Sequence, residues 1–282
     1  MKYFLLLLVA FCVYSSSFSQ SSNPIKVLVV TAHPDDEGAF SITLYKIAKE
    51  QKGIVDIAVI TNGEAGFKYS TLAENYYGLE LTDEKTGREN LPRIRKQELM
   101  NAGKILGVRN YYFFDQEDAK YNQDEHDPLD TSWDASWVST RLKELLANNK
   151  YDFVFTLMPS ATTHAGHKAA SILALRAVNS LPVDERPVIF AGSVYRKGGV
   201  QQNFHQLKDY KETETTTDTA LFRTDRTATF GYNHQLSYKI VANWEIAEHK
   251  SQGAMQNAMN GGDEEVFWLY KLNKPSAFTL VQ

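Results

Sequence analysis

The sequence is poor in the features that mark several protein classes. Its 282 residues include one cysteine, Cys12, so neither an internal disulfide framework nor a cysteine-built metal site can form. There is no basic excess: 30 Lys and Arg stand against 34 Asp and Glu, a net charge of −4. A chain without surplus cations has little to neutralise phosphates, so nucleic acid is not an expected partner. Long apolar runs are also missing. The longest, residues 4–13, is half the about 20 residues that a transmembrane helix needs. No Gly-x-Ser-x-Gly elbow occurs, which disfavours a serine hydrolase. No internal repeat is visible. What remains is average for a soluble globular chain, with 43% hydrophobic and 23% charged residues. That excludes collagen-like, low-complexity and wholly disordered chains, and the length suffices to bury a sizeable core.

The first residues read as a targeting segment. Met1-Lys2-Tyr3 is a short positive start, and residues 4–13 are apolar. Ser17 and Ser19 then stand at the −3 and −1 spacing of a cleavage site, so residues 1–19 are expected to be a signal peptide cut before Gln20. The mature chain would carry no cysteine, which suits a periplasmic or secreted location. No stable membrane insertion is expected after cleavage. The oligomeric state is not legible.

Beyond residue 20 a single domain is expected. Strands are predicted at 25–30, closed by Thr31, and at 54–60, 111–114, 153–157 and 188–194. Helices are predicted at 37–52, 91–106, 136–148 and 166–179. Alternating strands and helices imply βαβ units, hence a Rossmann-like three-layer αβα sandwich with a mainly parallel sheet. Residues 62–90 and 115–135 read as long loops, and 211–218 as an exposed polar stretch or edge strand. Residues 230–258 read as one long helix, and 264–272 as a last strand or helix.

Two motifs fall at strand ends, where ligands bind in such sheets. The first strand runs into His33-Pro34-Asp35-Asp36-Glu37. A dinucleotide-binding fold needs a glycine-rich turn there; three carboxylates would repel a phosphate and attract a cation. Pro34 keeps His33 extended, at the strand's end. Asp36 falls in the first helical turn, where the helix dipole favours the ionised form. The fourth strand leads to Thr163-His164-Ala165-Gly166-His167. Neutral imidazole is the commonest metal ligand. His33, Asp36 and His167 thus form a His₂-carboxylate set, the pattern of a catalytic zinc site with one open position. Oxygen and nitrogen donors without thiolate suit Zn2+, with Fe2+, Mn2+ or Co2+ as alternatives. Asp35 is a candidate general base for a water acidified by the metal, and His164 a candidate to stabilise an oxyanion or protonate a leaving amine.

These motifs resemble the PIG-L/LmbE-like zinc-dependent N-acetylglucosaminyl deacetylase family. The likeness continues through Thr61-Asn62-Gly63-Glu64-Ala65-Gly66, Arg95-Lys96-Gln97-Glu98-Leu99 and His249-Lys250-Ser251-Gln252, and so spans most of the mature chain. It implies zinc on His33, Asp36 and His167, Asp35 as base and His164 assisting the oxyanion. It further implies substrate contact near Arg95, against an Arg95–Glu98 helix pair, and a ligand-orienting or loop-anchoring role for Glu64. Members often carry Pro-Asp where this chain has Ala165-Gly166. The expected reaction is removal of an N-acetyl group from an N-acetylglucosamine-type sugar or glycoconjugate. Tyr69, Tyr76, Tyr77, Tyr121 and Trp133 are candidates to stack on a sugar. The rivals are a metal-dependent amidase or esterase on a non-sugar substrate, and a non-catalytic glycan-binding module.

Overall fold

The computed structural model of the chain describes residues 23–281. The expected signal segment lies outside them. In chain order the elements are β1 (Lys26–Thr31), α1 (Ser41–Tyr45), β2 (Ile54–Thr61), α2 (Thr71–Tyr77), α3 (Glu84–Leu106), β3 (Val108–Gln116), α4 (Ala135–Asn149) and β4 (Phe153–Leu157). They continue with α5 (Ala165–Asn179), β5 (Val188–Tyr195), β6 (Phe222–Asp225), a small hairpin of β7 (Thr229–Phe230) and β8 (Leu236–Ser237), α6 (Lys239–Glu248), α7 (Gly253–Gln256), β9 (Glu264–Leu269) and α8 (Ala277–Val281).

Seven strands form one sheet in the order β3-β2-β1-β4-β5-β9-β6. The first five are mutually parallel, and β9 runs against both of its neighbours. The two-residue period of a strand sends alternate side chains to opposite faces. In β1, Leu28 and Val30 enter one core with Leu142, Leu146, Ile172 and Leu175 of α4 and α5. Val27 and Val29 enter the other, with Leu44, Leu99 and Leu106 of α1 and α3. All four β1 side chains are fully buried, each worth about 1.5–3 kcal/mol relative to exposure. The α/β sandwich expected from the alternating pattern is therefore observed. β1 lies between β2 and β4, so the chain reverses its order at the β1–β4 boundary. Such a reversal opens a crevice beyond the carboxyl ends of the two strands.

Local structure departs from the sequence pattern in four places. The stretch 62–90 is largely helical, with a 3-10 turn at Glu64–Tyr69, then α2 and the start of α3. The helix expected over 91–106 starts earlier, after Asp83, whose carboxylate accepts from the Thr86 N–H, and Pro92 lies inside it. Burial of Leu81, Leu91 and Ile94 against Ala73 outweighs the hydrogen bond that proline removes. The stretch 37–52 is broken into a 3-10 turn, α1 and a π turn. The long helix expected over 230–258 is the β7–β8 hairpin, α6 and α7; the break at His249 follows from side chains anchored elsewhere, described below. Finally, 211–218 forms a 3-10 turn and one bridge, Thr215 to Tyr270, while the sheet edge is β6. The remaining doubtful segment, 264–272, is the buried strand β9.

Candidate active site

The β1–β4 crevice gathers both motifs. His33 follows β1, Asp36 opens the next turn, and His164 and His167 sit at the start of α5. Asp36 Oδ2 accepts from the backbone N–H groups of Ala32 and His33, at 3.0 and 2.8 Å. That fixes its carboxylate against the strand end. His33 Nδ1 lies 3.1 Å from His167 Nε2, His167 Nε2 lies 3.0 Å from Asp36 Oδ1, and His33 Nδ1 lies 3.5 Å from Asp36 Oδ2. Ligands at 2.0–2.1 Å in tetrahedral geometry are about 3.3–3.4 Å apart. The three donors are therefore spaced to hold one divalent ion. Thr163 Oγ1 contacts His167 Nδ1 at 3.1 Å and aims the other ring nitrogen inward. His33, His164 and His167 also offer nitrogens within 4.8 Å of one another, a looser set than the one closed by Asp36.

Electrostatics fit an anionic, cation-seeking centre. Burial opposes ionisation of Asp36, but His167 and His33 hold its carboxyl well below the usual range. Burial also opposes charge on His33, yet Asp36 and Asp118 raise its pKa to about 10. Burial, with His33 and His167 adding to it, lowers His164 to about 4. Its Nδ1 has no hydrogen-bond partner among the described residues.

Asp35 is held by Arg95. The guanidinium meets Asp35 Oδ1 at 2.9 Å and donates to the carbonyls of Gly63 and Pro34, at 2.6 and 3.2 Å. Arg95 lines the cavity over the centre, but its side chain is buried, and both terminal nitrogens meet protein groups. It does not pair with Glu98, which accepts instead from Ser251 N–H, Ser251 Oγ and Tyr77. Glu64 is buried too and does not line the cavity; burial raises its pKa. It belongs to the loop that Arg95 clamps at Gly63, where φ is +69° and glycine is favoured.

Further groups at the site were assigned no role from the sequence. Asp118, from the acidic stretch after β3, places Oδ1 3.7 Å from His33 Nε2. Burial disfavours its charge, but His33 leads the contacts that lower it to about 2. Its position after a strand on the same sheet edge was the one available clue. Glu37 meets His249 Nε2 at 2.7 Å in a fully buried contact, with Glu245 3.4 Å from the same nitrogen. These bonds, with those from Glu98 to Ser251, pull residues 249–252 out of helix. A cavity of about 370 Å³ opens over the centre, lined by His33, Asp35, Asp36, Asp118, His164 and His167 among others. Of the five aromatic candidates, Tyr69 and Tyr121 line it. Tyr77 bonds Glu98, Tyr76 is exposed on α2, and Trp133 is buried, donating to Glu117 O.

Residues 28–178, just over half of the chain, match the family described as PIG-L, GlcNAc-PI de-N-acetylase. The chain belongs to the PIG-L family. Family membership sets the reaction class as N-deacetylation of an amide, with a metal dependence that the donor set above accommodates. A probable N-acetyl-alpha-D-glucosaminyl L-malate deacetylase 2 of Bacillus cereus is 26% identical over 194 residues, covering 66% of this chain and 79% of the relative. In fold the chain is similar to a deacetylase from teicoplanin biosynthesis, solved in complex with teicoplanin (TM-score 0.52, 16% identity, 87% and 97% coverage). It is also similar to GalB, a 4-carboxy-2-hydroxymuconate hydratase of Pseudomonas putida (TM-score 0.56, 15% identity, 87% and 95% coverage). The fold alone thus does not fix the chemistry; the family match does the assigning here.

Proposed function

We propose that this PIG-L enzyme removes the N-acetyl group of an N-acetylglucosamine-type sugar or glycoconjugate, using a divalent ion, zinc by preference, held by His33, Asp36 and His167. The observation that carries the reading is the 3.0–3.5 Å convergence of those three donors beside Asp35, at the floor of an open cavity. An ion bound there would polarise the acyl carbonyl and acidify water. Asp35, oriented by Arg95, takes the proton of the attacking water and passes it to the departing nitrogen. His164 stands against the ring of His33, with centroids 4.9 Å apart, and steadies the developing oxyanion with a ring N–H. Tyr121, 5.1 Å from His164, offers an aromatic face to a sugar ring at the cavity mouth. The sugar side of the reading is supported by the family and by the malate-conjugate deacetylase relative.

Acetate release from N-acetylglucosamine and its conjugates is the test, run before and after chelation and after return of Zn2+, Fe2+, Mn2+ or Co2+. Full activity in metal-stripped protein overturns the reading. We also propose, from the 1–19 segment alone, that the protein is exported. The N-terminal residue of the mature protein tests this, Gln20 being expected and an intact Met1 being contrary. No helix among the described residues is long and apolar enough to cross a membrane.

A further inference from the structure

The wall of the catalytic cavity does not end at its mouth. Tyr69, which lines the cavity, is followed by Leu72 and Tyr76 on α2. Offsets of three and seven residues put these side chains on one helical face. They form a ridge that leads about 10 Å away from the cavity, at 1.5 Å per residue. All three are open to solvent: Tyr69 is 41% exposed, Leu72 70% and Tyr76 66%.

The core does not account for apolar residues on that face. The helix is held by its opposite side, where Ala73 and Tyr77 pack with Leu81, Leu91 and Ile94. Tyr77 donates to Glu98 at 2.7 Å, and its ring meets that of Tyr76 edge-on, with centroids 4.9 Å apart. Tyr76 is thus propped outward by an anchored neighbour. Exposed apolar groups continuous with a pocket mark a binding surface.

The polar groups of this face define the ligand. The four exposed residues of α2 are Thr71, Leu72, Asn75 and Tyr76, none of them charged. Lys250, 5.6 Å from the centre of the Tyr76 ring, is paired with Glu248 at 2.9 Å. An anionic lipid surface calls for a cluster of cations, which this face lacks. A face of ring, amide and hydroxyl groups suits a neutral ligand rich in hydroxyls. Sugar rings have that character: their C–H faces stack on tyrosine while their edges bond to Thr71 and Asn75.

We propose that the ridge carries further sugar subsites, one ring on Tyr69 and one on Tyr76, and that the substrate is an uncharged glycan of three or more units, deacetylated at the unit in the cavity. The proposal rests on the deacetylase reading and extends it. The amide chemistry is unchanged.

The test is kcat/KM of the metal-loaded enzyme on N-acetylglucosamine and its β-1,4-linked dimer and trimer. A stacking contact on an aromatic ring is worth about two- to tenfold. The step from dimer to trimer should be at least about threefold. Tyr76→Ala should reduce that step to under about 1.5-fold and leave monomer turnover within about twofold of wild type. Leu72→Ser, at the most exposed of the three positions, should act in the same direction. Calorimetry of trimer binding in the Asp35→Asn background reads the ridge apart from the chemistry. A flat step in the wild type overturns the ridge and leaves the deacetylase reading intact. A step that survives both substitutions overturns the assignment to α2. Trimer binding that Tyr76→Ala weakens about threefold or more, with no acetate released by the wild type, supports the ridge and overturns the deacetylase reading. Neither binding nor turnover overturns both. Sedimentation with phosphatidylglycerol vesicles that is lost in Tyr76→Ala, alongside a flat step, gives the face to a lipid surface and overturns the proposal.

Discussion

Arg95 is the side chain whose replacement best separates positioning from substrate contact. It makes three polar contacts, to Asp35 Oδ1 at 2.9 Å, Gly63 O at 2.6 Å and Pro34 O at 3.2 Å. Lysine has one compact ammonium and cannot satisfy that fork. Arg95→Lys should keep about one contact of the three. Hydrogen bonds to charged groups are worth about 1.5–3 kcal/mol each. Asp35, with its side chain 19% exposed, recovers some hydration when released, so we take the lower end and expect a loss of about 3 kcal/mol. Arg95→Leu removes the pair altogether and should lose about 3–5 kcal/mol. A domain stable by 5–15 kcal/mol survives the first change, so kinetics remain measurable. Releasing Asp35 from its position should lower kcat about 100-fold, with KM changed little. Urea unfolding and initial rates of acetate release read the two effects. A raised KM at unchanged kcat would return Arg95 to substrate binding. Wild-type stability and rate in Arg95→Lys would refute the clamp.

Three further outcomes follow from named contacts. Asp35→Asn should lower kcat/KM by about 10²–10⁴-fold while leaving bound metal at the wild-type level by elemental analysis; retained activity would remove Asp35 as base. Gly63→Ala drives a Cβ into the Arg95 guanidinium at φ +69°, so we expect about 2 kcal/mol of destabilisation in thermal melts, less than additive with Arg95→Lys because both loosen the same contact. The buried Glu37–His249–Glu245 group should make stability pH-dependent. Burial, partly offset by His249, pushes Glu37 up to about 7 from an ordinary 4.5. Burial opposes charge on His249, but Glu37 and Glu245 overcome it and hold its pKa well above 6.5. Both shifts are upward, so the native state retains protons that the unfolded chain has lost. Stability should fall as pH rises from 4.5 to 7, by at most about 1.4 kcal/mol per unit from Glu37. Glu37→Gln should flatten that slope in melts across the range, and an unchanged slope would refute the assignment.

The sheet and the centre were legible because their signals are local and regular. β1 and β4 are short apolar runs, and each ends directly in a motif of metal-ligand residue types. Parallel topology then brings two motifs 131 positions apart, His33 and His164, to one edge without further information. The rest depended on contacts between distant segments. Glu98 looks like half of a helical ion pair, yet its partners are Ser251 and Tyr77. His249 looks like a residue within a helix, yet its bond to Glu37 breaks that helix. Asp118 belongs to a stretch rich in acids, where nothing marks one carboxylate above its neighbours until the chain folds. The stretch 62–90 has glycines and tyrosines that suggest loop, and turns helical because it buries a small apolar cluster of its own. The alternation of strands sets the layers, while long-range side-chain bonds set where helices stop and how the catalytic loop is held.

The central claim is that His33 Nδ1, Asp36 and His167 Nε2 hold one divalent ion at the β1–β4 crevice. Anomalous diffraction from crystals equilibrated with zinc tests it most directly. The account predicts a strong peak about 2.0–2.2 Å from those three donors, with Asp35 nearby and outside bonding distance. A peak centred on His33, His164 and His167 without Asp36, or no peak in the crevice at saturating zinc, would contradict it.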